Sequence, residues 1–143
     1  YLVYGVGDYQ IARLKPNMIE LAEPPRTITF ADRGDFPSMD KNSLHRHRDL
    51  YYLSCRGHYA TSRNLQGPYT YRGVVGTGWQ LESPYAHGDF FAWKDRWYHV
   101  WCRYRDRTVD RIRDCFIAPA IHAPDGSLRD DLSQLPPGSG GSY

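Results

Sequence analysis

Three short runs of this chain repeat one another, and the repetition limits the fold more than any other feature. "YLVYG" begins at Tyr1, "YYLSC" at Tyr51 and "WYHVW" at Trp97. Each is an aromatic-rich stretch of alternating large residues, which suits a half-buried strand. The starts lie 50 and then 46 residues apart. The first run continues as "YQIARLKPNMIEL" from Tyr9 and the second as "YATSRNLQGPYTY" from Tyr59, each a strand, a turn with Pro or Gly, and another strand. The third carries the turn "APDGS" in the matching place. A period of roughly 40–50 residues, with about four strands in each unit, marks the blades of a β-propeller. A β-sandwich needs no such self-similarity.

Helical periodicity is almost absent, and the apolar runs are short and bounded by Gly, Pro, Asp and Asn. The pattern predicts strands at Tyr1–Val6, Tyr9–Leu14, Leu50–Cys55, Tyr59–Ser62, Tyr69–Val75, Asp89–Trp93, Trp97–Arg103, Cys115–His122 and Ser127–Arg129. The expected fold is an all-β propeller, with about three blades over residues 1–135. Three blades do not close a ring, and an open stack leaves sheet edges and faces unpaired. The expectation is therefore a fragment of a longer propeller. The chain opens on Tyr1 rather than Met, so the natural N-terminus and any targeting signal are expected upstream, and the compartment is unspecified. The tail "PPGSGGSY", residues 136–143, reads as a flexible linker.

Composition removes several function classes. Hydrophobic residues make up 41% of the 143, which argues against general disorder. Eighteen Lys and Arg are interspersed with sixteen Asp and Glu, leaving +2, so no field of one sign points to nucleic acid or a membrane surface. No apolar run approaches the roughly 18 residues of a membrane-spanning helix. The three cysteines have no C-x-x-C spacing and an odd count; Cys55 and Cys102 sit in strand-like runs and read as buried free thiols. Twelve Tyr and four Trp suit pleated surfaces and also the walls of sugar sites.

Few residues stand out as chemistry. Asp40, in "SMDKN", precedes the apolar strand at Leu50. It is either turn chemistry or a channel carboxylate, because polar residues at the strand starts of adjacent blades converge on the propeller axis. His45 and His47 are two apart and so face one side of an extended segment. Two histidines alone do not complete a zinc site, and Arg46 and Arg48 flank them, so "HRHR" reads as a solvated loop. His87 is followed by a Gly and an aromatic strand, Arg113 lies in the charge-alternating "RDRTVDRIRD", and Trp79 and Phe90 are candidates to stack on a sugar ring.

The stretch "MDKNSLHRHRDLYYLSCRGHYATSRNLQGPYTYRG" resembles the third-blade segment of glycoside hydrolase family 43. "YLVYG" with "IARLKPNMIEL" resembles the end of the second blade, "HGDFFAWKDRWYHVWC" a later blade, and "RIRDCFIAPAIHAPDGSL" the last arginine strand with its Asp-Gly turn. The resemblance runs to about Leu132. It implies a five-bladed propeller that hydrolyses arabinosyl, xylosyl and related linkages of plant oligosaccharides and polysaccharides with inversion. Inversion takes one protonated carboxyl and one carboxylate about 6.5–9.5 Å apart. The resemblance puts the acid at Asp40. It puts the base and a second, pKa-tuning Asp before Tyr1, so this chain alone is expected to be inactive. It also implies that Arg113 reaches the substrate, and that His87 faces the channel near a structural calcium ion, with any contact to it either direct or through water. No cofactor is required for the reaction. The sequence departs from the family where Asp stands for its Glu and "DKN" replaces a Gly-Pro-like pair. That departure keeps open a carbohydrate-binding propeller without catalysis. A nucleic-acid-binding β domain is the remote alternative.

Overall fold

The three repeated runs become β1 (Leu2–Tyr4), β6 (Leu50–Cys55) and β10 (Arg96–Asp106), each in a different sheet. The computed structural model describes residues 1–75, 87–106, 109–131 and 133. Among them the first sheet is β1, β2 (Gln10–Ala12) and β3 (Arg26–Thr27), in that order. The second has the order β4-β8-β7-β6-β5, from β4 (Phe30–Asp32), β5 (Asn42–His47), β6, β7 (His58–Ser62) and β8 (Tyr69–Val74). The third has the order β12-β11-β10-β9, from β9 (His87–Trp93), β10, β11 (Val109–His122) and β12 (Leu128–Asp130). Neighbouring strands pair antiparallel except β4 with β8. The repeat therefore has a structural meaning. β1–β3, β6–β8 and β10–β12 are equivalent runs of three blades, and β5 and β9 are the strands that precede two of them. This is part of a β-propeller.

Local chemistry fixes the tight connections. The β6–β7 hairpin turns at Arg56 and Gly57 and the β9–β10 hairpin at Lys94 and Asp95, all with positive φ. Two left-handed central residues match the twist of the strands they join. Between the sheets the strand alternation becomes two cores. Leu53 and Cys55 of β6 join Tyr9, Ile11, Phe36 and Tyr69 on the side of the first sheet. Tyr52, the odd one out by the two-residue period, joins Tyr59, Val75, Phe90 and Leu128 on the side of the third. β6 is thus covered on both faces, and the large aromatic rings supply much of the buried apolar area.

Three strands were not foreseen. β3 and β4 are too short to show a period. β5 is the more instructive: the "HRHR" stretch, expected as a solvated loop, is a six-residue strand paired residue by residue with β6, from Asn42 opposite Cys55 to His47 opposite Leu50. His45 within it is buried. The three cysteines are free; Cys55 is buried as expected, while Cys102 is half-buried and Cys115, its partner across β10 and β11, is exposed. The proposed tail lies outside the described residues.

Candidate active site

The segment before β5 is held from several directions, and Asp40 sits at its end. The Tyr9 hydroxyl lies 2.7 Å from the carbonyl of Met39 and 2.9 Å from that of Pro37. The Arg33 guanidinium donates to the Gly7 carbonyl at 3.1 Å and to Ser38 Oγ at 2.9 Å. Burial pushes the Tyr9 hydroxyl well above its ordinary pKa, so it stays a neutral donor. The residue preceding Asp40 is thereby pinned to the first sheet, while Asn42 begins the ladder with β6.

Asp40 itself is mostly in water, its side chain 66% exposed, whereas that of Lys41 is 8% exposed. Lys41 Nζ donates to Asp40 Oδ1 at 3.1 Å. Neighbouring side chains on an extended backbone point to opposite sides. The bend at Met39–Asp40 lets these two meet. The hydrogen bond from Lys41, and then its charge, hold the Asp40 carboxyl below its ordinary range.

His87 opens β9 and is exposed, close enough to Asp40, Lys41 and Arg113 for their charges to bear on it. Loss of hydration is the first cause that lowers its pKa, followed by the positive charges of Lys41 and Arg113; Asp40 opposes them. Arg113, exposed on β11, pairs in register with Tyr104 of β10, and β10 in turn brings Cys102 opposite His87. The starts of β5 and β9 and the early part of β11 therefore share one end of the second and third sheets. Ser43 Oγ of β5 donates to Asp89 Oδ1 of β9, which also accepts from the Phe90 amide at 2.8 Å, tying the two strands beside the site.

The Gly after His87 has a packing reason. A Cβ on Gly88 would lie 2.8 Å from His99 Nε2 and 3.2 Å from the Val100 carbonyl oxygen. His99, buried between Phe90 and Trp101, has its Nδ1 3.1 Å from both carboxylate oxygens of Asp130. The imidazole of His99 thus occupies the space that any side chain at residue 88 would need.

Of the five residues the sequence offered for a sugar site, the structure brings Asp40, His87 and Arg113 to one end. Trp79 lies outside the described residues. Phe90 is a correction. It is 6% exposed, its ring stacked on His99 at 4.3 Å and packed against His45 at 4.8 Å, so it has no open face for a sugar. No group of three or more His, Cys, Asp or Glu among the described residues could hold a metal ion. Calcium prefers six to eight oxygen ligands, so His87 would meet such an ion through water. Sequence reasoning missed Lys41 as a neighbour of Asp40. A lysine beside a candidate carboxyl was the available signal, but its burial was not readable.

No protein-family model matches the chain. A xylosidase/arabinosidase of Bacteroides ovatus is 30% identical over an alignment of 110 residues, covering 62% of this chain and 31% of that protein. Among solved structures, the GH43_1 enzyme of Xanthomonas citri complexed with xylose is similar at a TM-score of 0.67 and 29% identity, covering 87% of this chain and 43% of that one. RS223 β-xylosidase is similar at a TM-score of 0.67 and 27% identity, covering 90% and 46%. The chain spans less than half the length of each of these relatives. With the blade architecture, these likenesses show that the chain is part of a β-propeller and is similar to enzymes of glycoside hydrolase family 43.

Proposed function

We propose that these residues form part of the sugar site of an inverting glycosidase that acts on xylose- or arabinose-containing plant glycans. One observation carries the reading: Asp40, His87 and Arg113, distant in sequence, meet at one end of adjacent sheets, where the strand starts of a propeller converge. The relatives support the substrate class, since one is described as a xylosidase/arabinosidase and another was solved with xylose.

In this reading Asp40 donates a proton to the leaving glycosidic oxygen. A carboxylate from a preceding repeat activates water on the opposite face of the sugar, about 6.5–9.5 Å away. Arg113 offers a rigid donor fork to sugar hydroxyls, and His87 forms part of the channel wall. Asp40 is one methylene shorter than Glu, and a displacement of about 1 Å can cost roughly 10²-fold in rate.

The test is made on the complete protein with chromogenic xylosides and arabinosides. Asp40→Asn should lower kcat by roughly 10²–10⁴-fold while leaving sugar binding in place. Unchanged kinetics in that variant would refute Asp40 as the acid. Sugar binding by the unaltered protein without any turnover would favour the carbohydrate-binding propeller instead.

A further inference from the structure

We infer that Lys41 is the charge-setting and positioning residue of this site: its ammonium ties up the Asp40 carboxyl, so that the proton needed by a departing glycoside is present only in acidic solution. This rests on the reading of Asp40 as the acid. It goes further by naming the group that governs when Asp40 can act.

The geometry makes Lys41 the fixed partner and Asp40 the movable one. The Lys41 side chain is 8% exposed and that of Asp40 66%. An ammonium so deeply covered needs hydrogen-bond acceptors. Nζ finds Oδ1 of its own neighbour at 3.1 Å because the chain bends at Met39–Asp40. The backbone on either side is constrained, by Tyr9 and Arg33 before Asp40 and by the pairing of Asn42 with Cys55 after it. The ammonium is therefore built into the fold at the position where the family resemblance expects a small Gly.

A general acid of this class needs the opposite environment. Such carboxyls are kept protonated by an apolar pocket or by a second carboxylate nearby. Asp40 instead faces Lys41 on its own segment and His87 on β9, and both favour its ionised form. Arg113 on β11 adds positive charge next to His87, and Asp89 on β9 is already engaged by Ser43 and the Phe90 amide. Cys55 on β6, beside Lys41, is kept a neutral thiol by burial. In that step the proton held by Asp40 passes to the oxygen of the breaking glycosidic bond, water forms the new bond to the sugar carbon, and the proton that water gives up goes to the carboxylate from the preceding repeat.

The sign follows from that proton. Activity requires protonated Asp40, so kcat/KM should fall as pH rises past its pKa, and Lys41 moves that fall to lower pH. In the complete protein, Lys41→Met, which keeps the length and the burial, should move the alkaline limb of the kcat/KM profile to higher pH. It should raise the rate at neutral pH several-fold. Lys41→Arg, which keeps a cation, should bring the limb back toward its original place. The Asp40 side-chain carboxyl signal, followed by NMR across pH, should move in the same direction. An alkaline limb and an Asp40 titration that both stay in place in Lys41→Met overturn the inference. Asp40→Asn separates the two levels: if it abolishes turnover while Lys41→Met leaves the profile unmoved, Asp40 stands as the acid and Lys41 fails. If Asp40→Asn leaves turnover unchanged, both fail.

Discussion

β5 has two ends, and they treat charge in opposite ways. At its start, the Asp40 carboxyl is held below its ordinary range, first by the hydrogen bond and the charge of Lys41 and last by the charge of His87. At its end, loss of hydration comes first in lowering the pKa of buried His45 and half-buried His47, and neighbouring basic groups add to it. His45 stacks on Tyr52 at 5.0 Å and packs against Phe90, Trp97 and His122. His47 stacks on His122 at 4.2 Å. The three rings join β5 to the third sheet, and an open cleft of about 650 Å³ lies against His47, Trp97 and His122. Burial comes first among the causes that push His45 down to about 3 and His122 down to about 4. The teaching point is that imidazole serves here as a flat, weakly polar ring between blades.

The hydrogen bond at the imidazole end also has a direction. His45 Nε2 and His122 Nε2 are 2.9 Å apart, and buried His45 Nδ1 has no partner among the described residues. A buried N–H without an acceptor costs more than a bare lone pair. His45 therefore carries its proton on Nε2 and donates to His122, whose own proton sits on Nδ1.

The difference between the ends can be broken by substitution. Phe90→Ala, at the imidazole end, should cost about 3–5 kcal/mol, because it empties a ring-sized space beside His45 and His99. Asp40→Asn, at the exposed end, should leave the unfolding midpoint almost unmoved. Denaturant titration of the two variants checks this, and a large loss in Asp40→Asn would erase the distinction.

The next effect is pH. An unfolded histidine titrates near 6.5, while folded His45 and His122 resist protonation until lower pH. As pH falls below about 6.5 the unfolded chain takes up protons first, so stability is full above that value and drains away toward pH 3. The loss should be on the order of a few kcal/mol by pH 4, and His45→Phe should flatten the slope. Unfolding free energies measured between pH 8 and 4 test it; a flat profile in the unaltered chain would contradict the packing described. The two ends thus oppose one another. On the proposed role of Asp40, acid supplies the proton it would donate and at the same time weakens the join between blades.

The smallest effect belongs to charges that are merely exposed. Arg63 pairs with Asp49, in the turn after β5, with both side chains mostly in solvent. Arg63→Ala should change stability by about 1 kcal/mol or less. A thermal unfolding comparison that shows more would mean this turn is better anchored than its exposure implies.

The sequence alone carried the periodic part of this protein. Alternating aromatic runs at Tyr1, Tyr51 and Trp97, with Gly and Pro turns at matching offsets, specify strands because the two-residue period and the turn residues act locally. The resemblance to family 43, counted back from "YYLSC", put the acid at Asp40. Tertiary structure alone decided the rest. "NSLHRH" has no apolar period, so β5 was invisible until β6 supplied hydrogen bonds and Tyr52, Trp97 and His122 supplied cover. Phe90 went to the core and not to a sugar because His45 and His99, remote in sequence, take both sides of its ring. Lys41 beside Asp40 was visible as a letter, but its burial depends on neighbours from other strands. Whether a polar side chain is charged, neutral or buried is set by those neighbours, and a local pattern does not contain them.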